Sequence, residues 1–166
     1  SIPIRGEWTE QGAGWLELDT VALCGGCLDD RHLWMLDGVD IGTDWAGLRA
    51  LENRGQHATV TQLRDLEASL PFPLRGVDSD NGGEFINHHL VAYLGQRPKP
   101  VLFTRARPYQ KNDNAHVEQR NWTRVRQHFG YDRYDNPAVT PLINTLCTGA
   151  LGQLFNHFLP TLKLES

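Results

Sequence analysis

Residues 105–122, RARPYQKNDNAHVEQRNW, bring basic side chains, amides and one carboxylate together in a short stretch. Pro108 cannot lie inside a helix, so the beginning of this stretch is predicted to be a loop. Asn112 or Asp113 is a good N-cap, and no further helix breaker follows until Gly130. The sequence therefore predicts a loop that leads into a helix.

The predicted helix has one face that includes Glu118, Trp122, Val125 and Phe129, at spacings of three and four residues. The three apolar members of this face are predicted to be buried. A second side is predicted to face solvent or a partner, and it carries Arg120, Arg124 and Gln127. Glu118 would thus lie near the body of the protein, where a carboxylate needs a cation nearby or takes up a proton.

Two other acidic residues are candidate partners of Glu118. Residues 15–24 alternate between apolar and polar and then become wholly apolar, which predicts a strand that carries Asp19. Residues 73–85 are predicted to form a short strand followed by a turn that begins a helix, with Asp80 at the end of the strand. Open α/β sheets place their sites at such strand ends.

Three motifs together resemble the catalytic core of the integrase and DDE transposase family. They are the Leu-Asp19-Thr strand, the Ser-Asp80-Asn-Gly-Gly-Glu-Phe turn and the Arg-Pro-Tyr…Ala-His-Val-Glu118-Gln-Arg-Asn helix. Asp80 and Glu118 are separated by 37 residues, a spacing similar to that of the family. The resemblance extends from about Gly14 to Lys163 and implies an RNase H-like fold. In that fold the Asp19 strand is central, the Asp80 strand pairs beside it and the Glu118 helix packs across both.

The resemblance also implies the chemistry. Two Mg²⁺ or Mn²⁺ ions would be held by Asp19, Asp80 and Glu118, with Asp19 bridging both ions. Hard cations prefer oxygen ligands, which fits a set of three carboxylates better than a zinc site would. Water would attack the DNA in end cleavage, and the freed 3′-hydroxyl would attack target DNA in strand transfer. No covalent protein–DNA intermediate is implied.

Neighbouring polar residues have alternative interpretations. Asp78 competes with Asp80 for the same role, and the alternation along the strand together with the Asp-Asn-Gly match favours Asp80. Asp40 is interpreted as a turn residue. Glu84 is interpreted as a first-turn helix residue that is stabilised by the helix dipole. His116 could assist proton transfer or contact DNA, although a lone His is more often structural or exposed.

Charge is unevenly distributed in this chain, whose net charge is −4. Residues 1–96 contain six basic and 15 acidic residues, whereas residues 97–133 contain nine basic and three acidic residues. A local basic surface can bind phosphates on an acidic protein. The candidate DNA contacts are Arg105, Arg107, Tyr109, Lys111, Asn112, His116, Gln119 and Arg120. A solvated charged helix is the alternative interpretation.

The remaining pattern predicts a mixed five-stranded α/β sheet with helices on both faces. The predicted strands are 15–24, 31–39, 43–51, 74–77 and 101–104, and the first three form an antiparallel meander. The predicted helices, besides that of Glu118, are 58–70, 84–94 and 138–158, the last with Pro141 in its first turn. The apolar face of the last helix is predicted to pack in the core, and any apolar surface that the core does not use could form a subunit interface. This face consists of Leu142, Leu146, Leu151, Leu154 and Phe158.

The 166 residues are expected to form one integrase-type catalytic domain, with residues 1–13 as a lead-in and 138–159 as the C-terminal helical region. The chain begins with Ser1, and Met35 is its only methionine, so we expect a fragment of a longer transposase. No apolar run approaches the roughly 18 residues of a membrane span. We therefore expect no membrane association. Reduced cysteines fit a cytoplasmic protein, and the family resemblance implies a bacterial protein that acts as a homodimer or higher oligomer.

Cys24 and Cys27 have the spacing of a metal or redox pair, but Gly25 and Gly26 lie between two strand-like runs, so a hairpin turn is favoured. Cys147 is predicted to be a core residue.

The sequence leaves two alternatives to the transposase hypothesis. One is an RNase H-like nuclease that cuts DNA without joining it, and the other is a non-catalytic DNA-binding or assembly module.

Overall fold

The computed structural model describes residues 12–79, 88–105 and 120–159. Within them, one five-stranded sheet has the order β3-β2-β1-β4-β5. Its strands are β1 (Trp15–Leu23), β2 (Leu33–Asp40), β3 (Ala46–Leu51), β4 (Gly76–Ser79) and β5 (Leu102–Arg105). The first three strands pair antiparallel, whereas β4 pairs parallel with β1 and β5 parallel with β4. The mixed sheet, the meander and the central position of β1 confirm the prediction.

Helices cover both faces of the sheet. One face is covered by α1 (Gln56–Ala68) and α2 (His88–Gly95). The other face is covered by a π-helix (Asn121–Arg126) that continues into α3 (Gln127–Phe129), together termed the site helix, and by the C-terminal helices. The latter are a 3₁₀ turn (Pro137–Val139), α4 (Thr140–Thr148), α5 (Ala150–Gln153) and a π-helix (Leu154–Phe158).

Strand alternation sorts the side chains of β1 between two cores. Leu16 and Leu18 point to the α1 side, where they join a cluster of buried apolar residues that includes Leu63 and Leu66 of α1. The odd-numbered residues of β1 point to the opposite side, where Val21 and Leu23 belong to a second cluster of buried apolar residues. There the cluster is completed by Met35, Val125, Phe129, Ile143, Cys147 and Phe155, among others. The burial of Cys147 is as predicted.

Two asparagine side chains bind the outer edge of β3. Asn156 accepts a hydrogen bond from the backbone N–H of Ala46 and donates to its carbonyl, both at 2.8 Å. Asn144 binds Ala50 in the same way, at 2.7 and 3.3 Å. Unpaired backbone groups at a sheet edge can recruit another strand. The C-terminal helices therefore satisfy part of this edge as well as supplying core residues.

The prediction for the sides of the site helix was partly wrong. Val125 and Phe129 are buried as predicted, but Trp122 is 55% exposed and Arg124 is buried. The cause is the π-helical geometry, in which the N–H of Gln127 bonds to the carbonyl five residues earlier. The wider turn changes which residues share a face, because the spacing rule of three and four holds only for an α-helix. Arg124 therefore points into the protein and Trp122 does not.

The long C-terminal helix predicted for residues 138–158 is interrupted. Gly149 has φ −97° and ψ −108°, which is not helical, and it separates α4 from α5. The buried apolar residues are Ile143, Cys147 and Phe155, and of the predicted set Leu151 and Leu154 are partly buried against the same cluster. Leu142 and Phe158 are 69% and 74% exposed, and Leu146 is exposed too. Pro141 does lie in the first turn of α4, as predicted.

The segment between β1 and β2 forms the predicted turn. Gly25 and Gly26 have φ of 64° and 85°, values that suit glycine, and the N–H of Cys27 donates to the carbonyl of Cys24. Cys24 and Cys27 are both free thiols. Among the described helices, none has the length and apolarity that crossing a membrane requires.

Candidate functional site

Asp19 is oriented by two hydrogen bonds on its strand and from the site helix. Its Oδ1 accepts from the backbone N–H of Thr20 at 2.7 Å, and its Oδ2 accepts from Nδ2 of Asn121 at 2.6 Å. The side chain is only partly buried. Asp19 is thus a held carboxylate with access to solvent, on the central strand of the sheet.

Asp37 of β2 lies directly opposite Asp19 in the antiparallel register. It is fully buried, and neither of its carboxyl oxygens has a hydrogen-bond partner in the described part of the chain. Burial is the main cause that raises the pKa of Asp37 to about 8 from its ordinary 3.8; Arg124 opposes the shift and Asp19 adds to it. The carboxyl group is therefore mostly protonated at neutral pH and adds little negative charge beside Asp19.

Arg124 is a buried cation whose charge acts on Asp37 more strongly than that of Arg120. Its Nη2 donates to the backbone carbonyl of Asp44 at 3.3 Å, and its guanidinium lies 5.3 Å from the centre of the Phe155 ring. Its Nη1 has no partner among residues 12–79, 88–105 and 120–159. Burial lowers the pKa of Arg124, while the charges of Asp37 and Asp44 oppose that effect. The side chain brings a positive charge under the site, and it forms a 3.8 Å ion pair with the carboxylate of Asp44.

Arg120, a predicted DNA contact, is already paired with a carboxylate of the protein. Its Nη2 forms an ion pair with the carboxylate of Asp44, and its Nε donates to the other oxygen at 3.2 Å. Asp44 is almost fully buried and has φ of 65°, so it is a fixed acceptor. Arg124 lies 3.8 Å from the same carboxylate, so two guanidinium groups share Asp44 beside the site.

Sequence reasoning missed Asn121 as a site residue. The signal was available in its position three residues after Glu118, but the acceptor, Asp19, is 102 residues away in sequence. The Oδ1 atom of Asn121 is buried and has no partner within the described ranges. An amide that donates to Asp19 and keeps a free acceptor can serve both to orient the carboxylate and to bind a further donor or cation.

Two further carboxyl side chains lie on the same face of the sheet as Asp19. Glu17 and Asp78 are partners in the β1–β4 register, and both are fully buried. Asp78 accepts a hydrogen bond from the hydroxyl of Thr104 at 2.5 Å. Asp78, the sequence rival of Asp80, is therefore enclosed between strands.

Most of the predicted site residues lie outside the described residues. They are Asp80, Arg107, Tyr109, Lys111, Asn112, His116, Glu118 and Gln119. The predicted first-turn residue Glu84 is outside them as well. Arg105 ends β5 beside Ser79, and its Nε is buried without a partner among the residues described. No group of three or more His, Cys, Asp or Glu side chains forms a possible metal site within the described ranges.

Asp40 has the structural role that was predicted for it. Its Oδ1 accepts from the backbone N–H groups of Gly14 and Trp15, each at 2.8 Å, and its Oδ2 accepts from the N–H and hydroxyl of Thr43. These four bonds use the carboxylate to fix the turn after β2 and the beginning of β1. Asp40 is thereby separated in function from the Asp19–Asp37 pair.

The chain is similar to one curated protein of unassigned role. It is 34% identical over 174 residues to the uncharacterized protein y4rM of Sinorhizobium fredii (strain NBRC 101917 / NGR234). The alignment covers 99% of this chain but 47% of y4rM, so the chain spans about half the length of that relative. No protein-family profile matches the chain.

The fold is similar to that of a chain in a solved viral assembly. That structure is the cryo-EM structure of the simian T-cell lymphotropic virus intasome in complex with PP2A regulatory subunit B56 gamma. The TM-score is 0.69 at 16% sequence identity, over 100% of this chain and 56% of the other. At this identity the similarity concerns the fold alone.

Proposed function

We propose that this chain is the catalytic core of a DNA transposase or integrase with an RNase H-like fold. It would cleave the ends of a mobile element and join the 3′-hydroxyl ends to target DNA by phosphoryl transfer. The observation that supports this most directly is the 2.6 Å hydrogen bond from Asn121 to Asp19. It ties the central-strand carboxylate to a helix residue that is three positions beyond Glu118, in the motif that resembles the family's.

The chemistry of the donors fits a hard divalent cation. Asp19 offers a partly exposed carboxylate, and Asn121 has a buried acceptor oxygen without a partner in the described part of the chain. Oxygen donors of this kind suit Mg²⁺ or Mn²⁺. By the resemblance, Asp19, Asp80 and Glu118 would hold two such ions. When bound, the ions would supply activation of the attacking oxygen and charge neutralisation at the leaving oxygen.

The chain's own residues would orient the Asp19 carboxylate and help to neutralise the charge of the phosphate. Asn121 would hold the carboxylate of Asp19 in one rotamer, so that little reorganisation is needed when the substrate binds. Arg120 and Arg124, which are both paired with the carboxylate of Asp44, would add positive potential near the scissile phosphate. In each step an oxygen–phosphorus bond forms in line with the one that breaks. The attacking oxygen belongs to water in cleavage and to a 3′-hydroxyl in joining.

The enzyme would have to hold two DNA ends, so we also propose that two or more copies associate. The exposed Leu142 and Leu146, four residues apart on α4, supply an apolar strip for such a contact. Sedimentation of the chain at high concentration tests this, and a monomer there would contradict self-association through this fragment.

A joining assay tests the proposed function. Labelled duplexes with the DNA that flanks the coding sequence are incubated with supercoiled target DNA and Mn²⁺. We expect joined products from the wild type and a loss of at least about 100-fold in Asp19→Asn and Glu118→Gln. Asp135→Asn, at an exposed position, is the matched control and should join normally. Cleavage without joining would identify the nuclease, and normal turnover by Glu118→Gln would contradict the catalytic assignment.

A further inference from the structure

A groove lies between α1 and α2, on the face of the sheet opposite to Asp19. Its volume is about 630 Å³, within the range of sites that bind ligands. The polar part of its lining consists of His57, Thr61, Arg64, His89, Gln96 and Arg97. These side chains are mainly hydrogen-bond donors. Neither the candidate active site nor the core requires them in this place.

The cations of the groove are held in place around one aromatic ring. The guanidinium groups of Arg97 and Arg64 lie 4.8 and 5.2 Å from the centre of the Tyr93 ring. Arg97 also forms an ion pair with Glu67 at 2.7 Å, and the hydroxyl of Tyr93 donates to the same carboxylate. Two guanidinium groups fixed on one ring lose little conformational freedom when they bind an anion.

The charges of the groove do not balance. Glu67 is already shared by Arg97 and Tyr93. Arg64 is exposed, and none of the described carboxylates lies within ion-pair distance of it. His57 and His89 are also exposed and can donate hydrogen bonds to a ligand. The groove therefore attracts an anion, although residues 1–96 as a whole are acidic.

The donors lie in rows along the helices. His57, Thr61 and Arg64 are separated by four and three residues, so they share one face of α1. Seven residues of helix correspond to about 10 Å, which equals about three base-pair steps of roughly 3.4 Å along the axis of B-DNA. The row is thus long enough to contact successive phosphates of one strand.

The lining offers little to an apolar partner. Its apolar members are the buried Val60 and the small, half-buried Ala92, and the ring of Tyr93 already contacts two guanidinium groups. Protein interfaces usually depend on well-packed aromatic or aliphatic anchors, whereas nucleic-acid backbones are held by basic and hydroxyl side chains. The donor set therefore favours phosphodiesters over a protein segment.

We propose that the groove between α1 and α2 binds the phosphate backbone of a DNA strand, as a second DNA contact on the side of the sheet opposite to Asp19. That DNA is the ligand rests on the proposed function. Arg64 would supply the main charge, and His57 and Gln96 would supply further hydrogen-bond donors. Arg97 would be held ready by Glu67 and Tyr93.

The test is the salt dependence of DNA binding by the 166-residue chain. Fluorescence anisotropy with a labelled duplex of mixed sequence gives the slope of log K against log salt. Arg64→Ala should weaken binding and reduce the magnitude of the slope by about 0.9, the effect of one lost phosphate contact. Arg64→Lys keeps the charge and should restore most of the slope. Arg31→Ala removes an exposed arginine outside the groove and is the matched control. Circular dichroism and thermal melting confirm that each variant folds.

Each outcome decides the inference. A smaller slope in Arg64→Ala, with recovery in Arg64→Lys and little change in Arg31→Ala, supports it. An unchanged slope in Arg64→Ala, an equal loss in Arg31→Ala or no DNA binding by the wild type overturns it, and so does a groove that binds only an acidic peptide. If the wild type joins DNA and Arg64→Ala leaves the salt slope unchanged, the proposed function is supported and the groove proposal is not. An Arg64 effect without joining would leave a DNA-binding groove on a protein of another function.

Discussion

On the α1 side of the sheet, Leu16 and Leu18 of β1 meet an apolar layer from α1 and α2. On the site-helix side, the next residues along the same strand, Glu17 and Asp19, introduce carboxyl groups among apolar neighbours. The first face is held together by burial of apolar area, which is favourable wherever the shapes fit. The second face contains buried carboxyls that cost free energy unless they are protonated, hydrogen-bonded or bound to a cation. The contrast indicates that one face stabilises the fold and the other holds the candidate site.

Leu63→Ala should produce the largest change in stability and should leave the candidate site intact. Leu63 is fully buried in the α1-side cluster, so its truncation should lower the free energy of unfolding by about 2–5 kcal/mol. Urea denaturation measures this change. The folded fraction should still join DNA at the wild-type rate per folded molecule. A loss of joining without a loss of stability would contradict the division between the two faces.

Asn121→Ala should reduce joining more than it reduces stability. Loss of the hydrogen bond that orients Asp19 should reduce joining by about 10- to 100-fold, as is usual for residues that position a metal-binding side chain. The apparent affinity for Mn²⁺ in the same assay should fall as well. Asn144→Ala is the matched control, because that amide binds only the backbone of Ala50. It should lower stability and leave joining per folded molecule unchanged.

Asp37→Asn tests the site-helix side of the sheet through the pH dependence of stability. The pKa of Asp37 in the folded state, about 8, is above its ordinary 3.8, so the folded state binds this proton more tightly than the unfolded state. Its contribution to the free energy of unfolding is therefore complete below about pH 4 and is lost as the pH rises through about 8.

Asparagine stays neutral, so the stability of the Asp37→Asn variant relative to the wild type should rise by several kcal/mol, on the order of 1.4 kcal/mol per pH unit, between about pH 4 and about pH 8. Thermal melts across this range measure the difference. Asp135→Asn, at an exposed position, should show no such pH dependence. A parallel offset at every pH would mean that Asp37 is ionised in the folded protein at neutral pH.

Leu142→Ser should have the smallest effect on the folding of the chain. The side chain is 69% exposed, so the change in the free energy of unfolding of the monomer should be within about 0.5 kcal/mol. If α4 mediates self-association, sedimentation should show a shift toward monomer in this variant. A cost above about 2 kcal/mol in a monomeric sample would show that Leu142 belongs to the core.

The order of the elements was predictable because their signals are local. Alternation along residues 15–24 identified β1, the double glycine identified the turn after it, and the spacing of Val60, Leu63 and Leu66 identified α1. Strand and helix periods of two and 3.6 residues are properties of the backbone itself, so a short window of sequence reveals them. The central place of β1 followed from the family resemblance, and the observed pairing confirms it.

The sides of the site helix were less predictable because they depend on its hydrogen-bond pattern. The exposure of Trp122 and the burial of Arg124 both follow from π-helical turns, which the residue spacing did not reveal. The break at Gly149 was missed for a similar reason, since an isolated glycine is tolerated in many helices. In α4, Leu142 and Leu146 are exposed, whereas Ile143 and Cys147 are buried.

By itself, the sequence determined the α/β class, the antiparallel meander, the Cys24–Cys27 turn and Asp19 as a site candidate. The tertiary structure decided which polar groups meet. It brought Asn121 to Asp19, placed Asp37 opposite Asp19 and left that carboxyl buried without a described partner. Distant pairings of this kind depend on strand register and helix packing, whose free energies are summed over the whole fold, whereas an element's own period is fixed within a few residues.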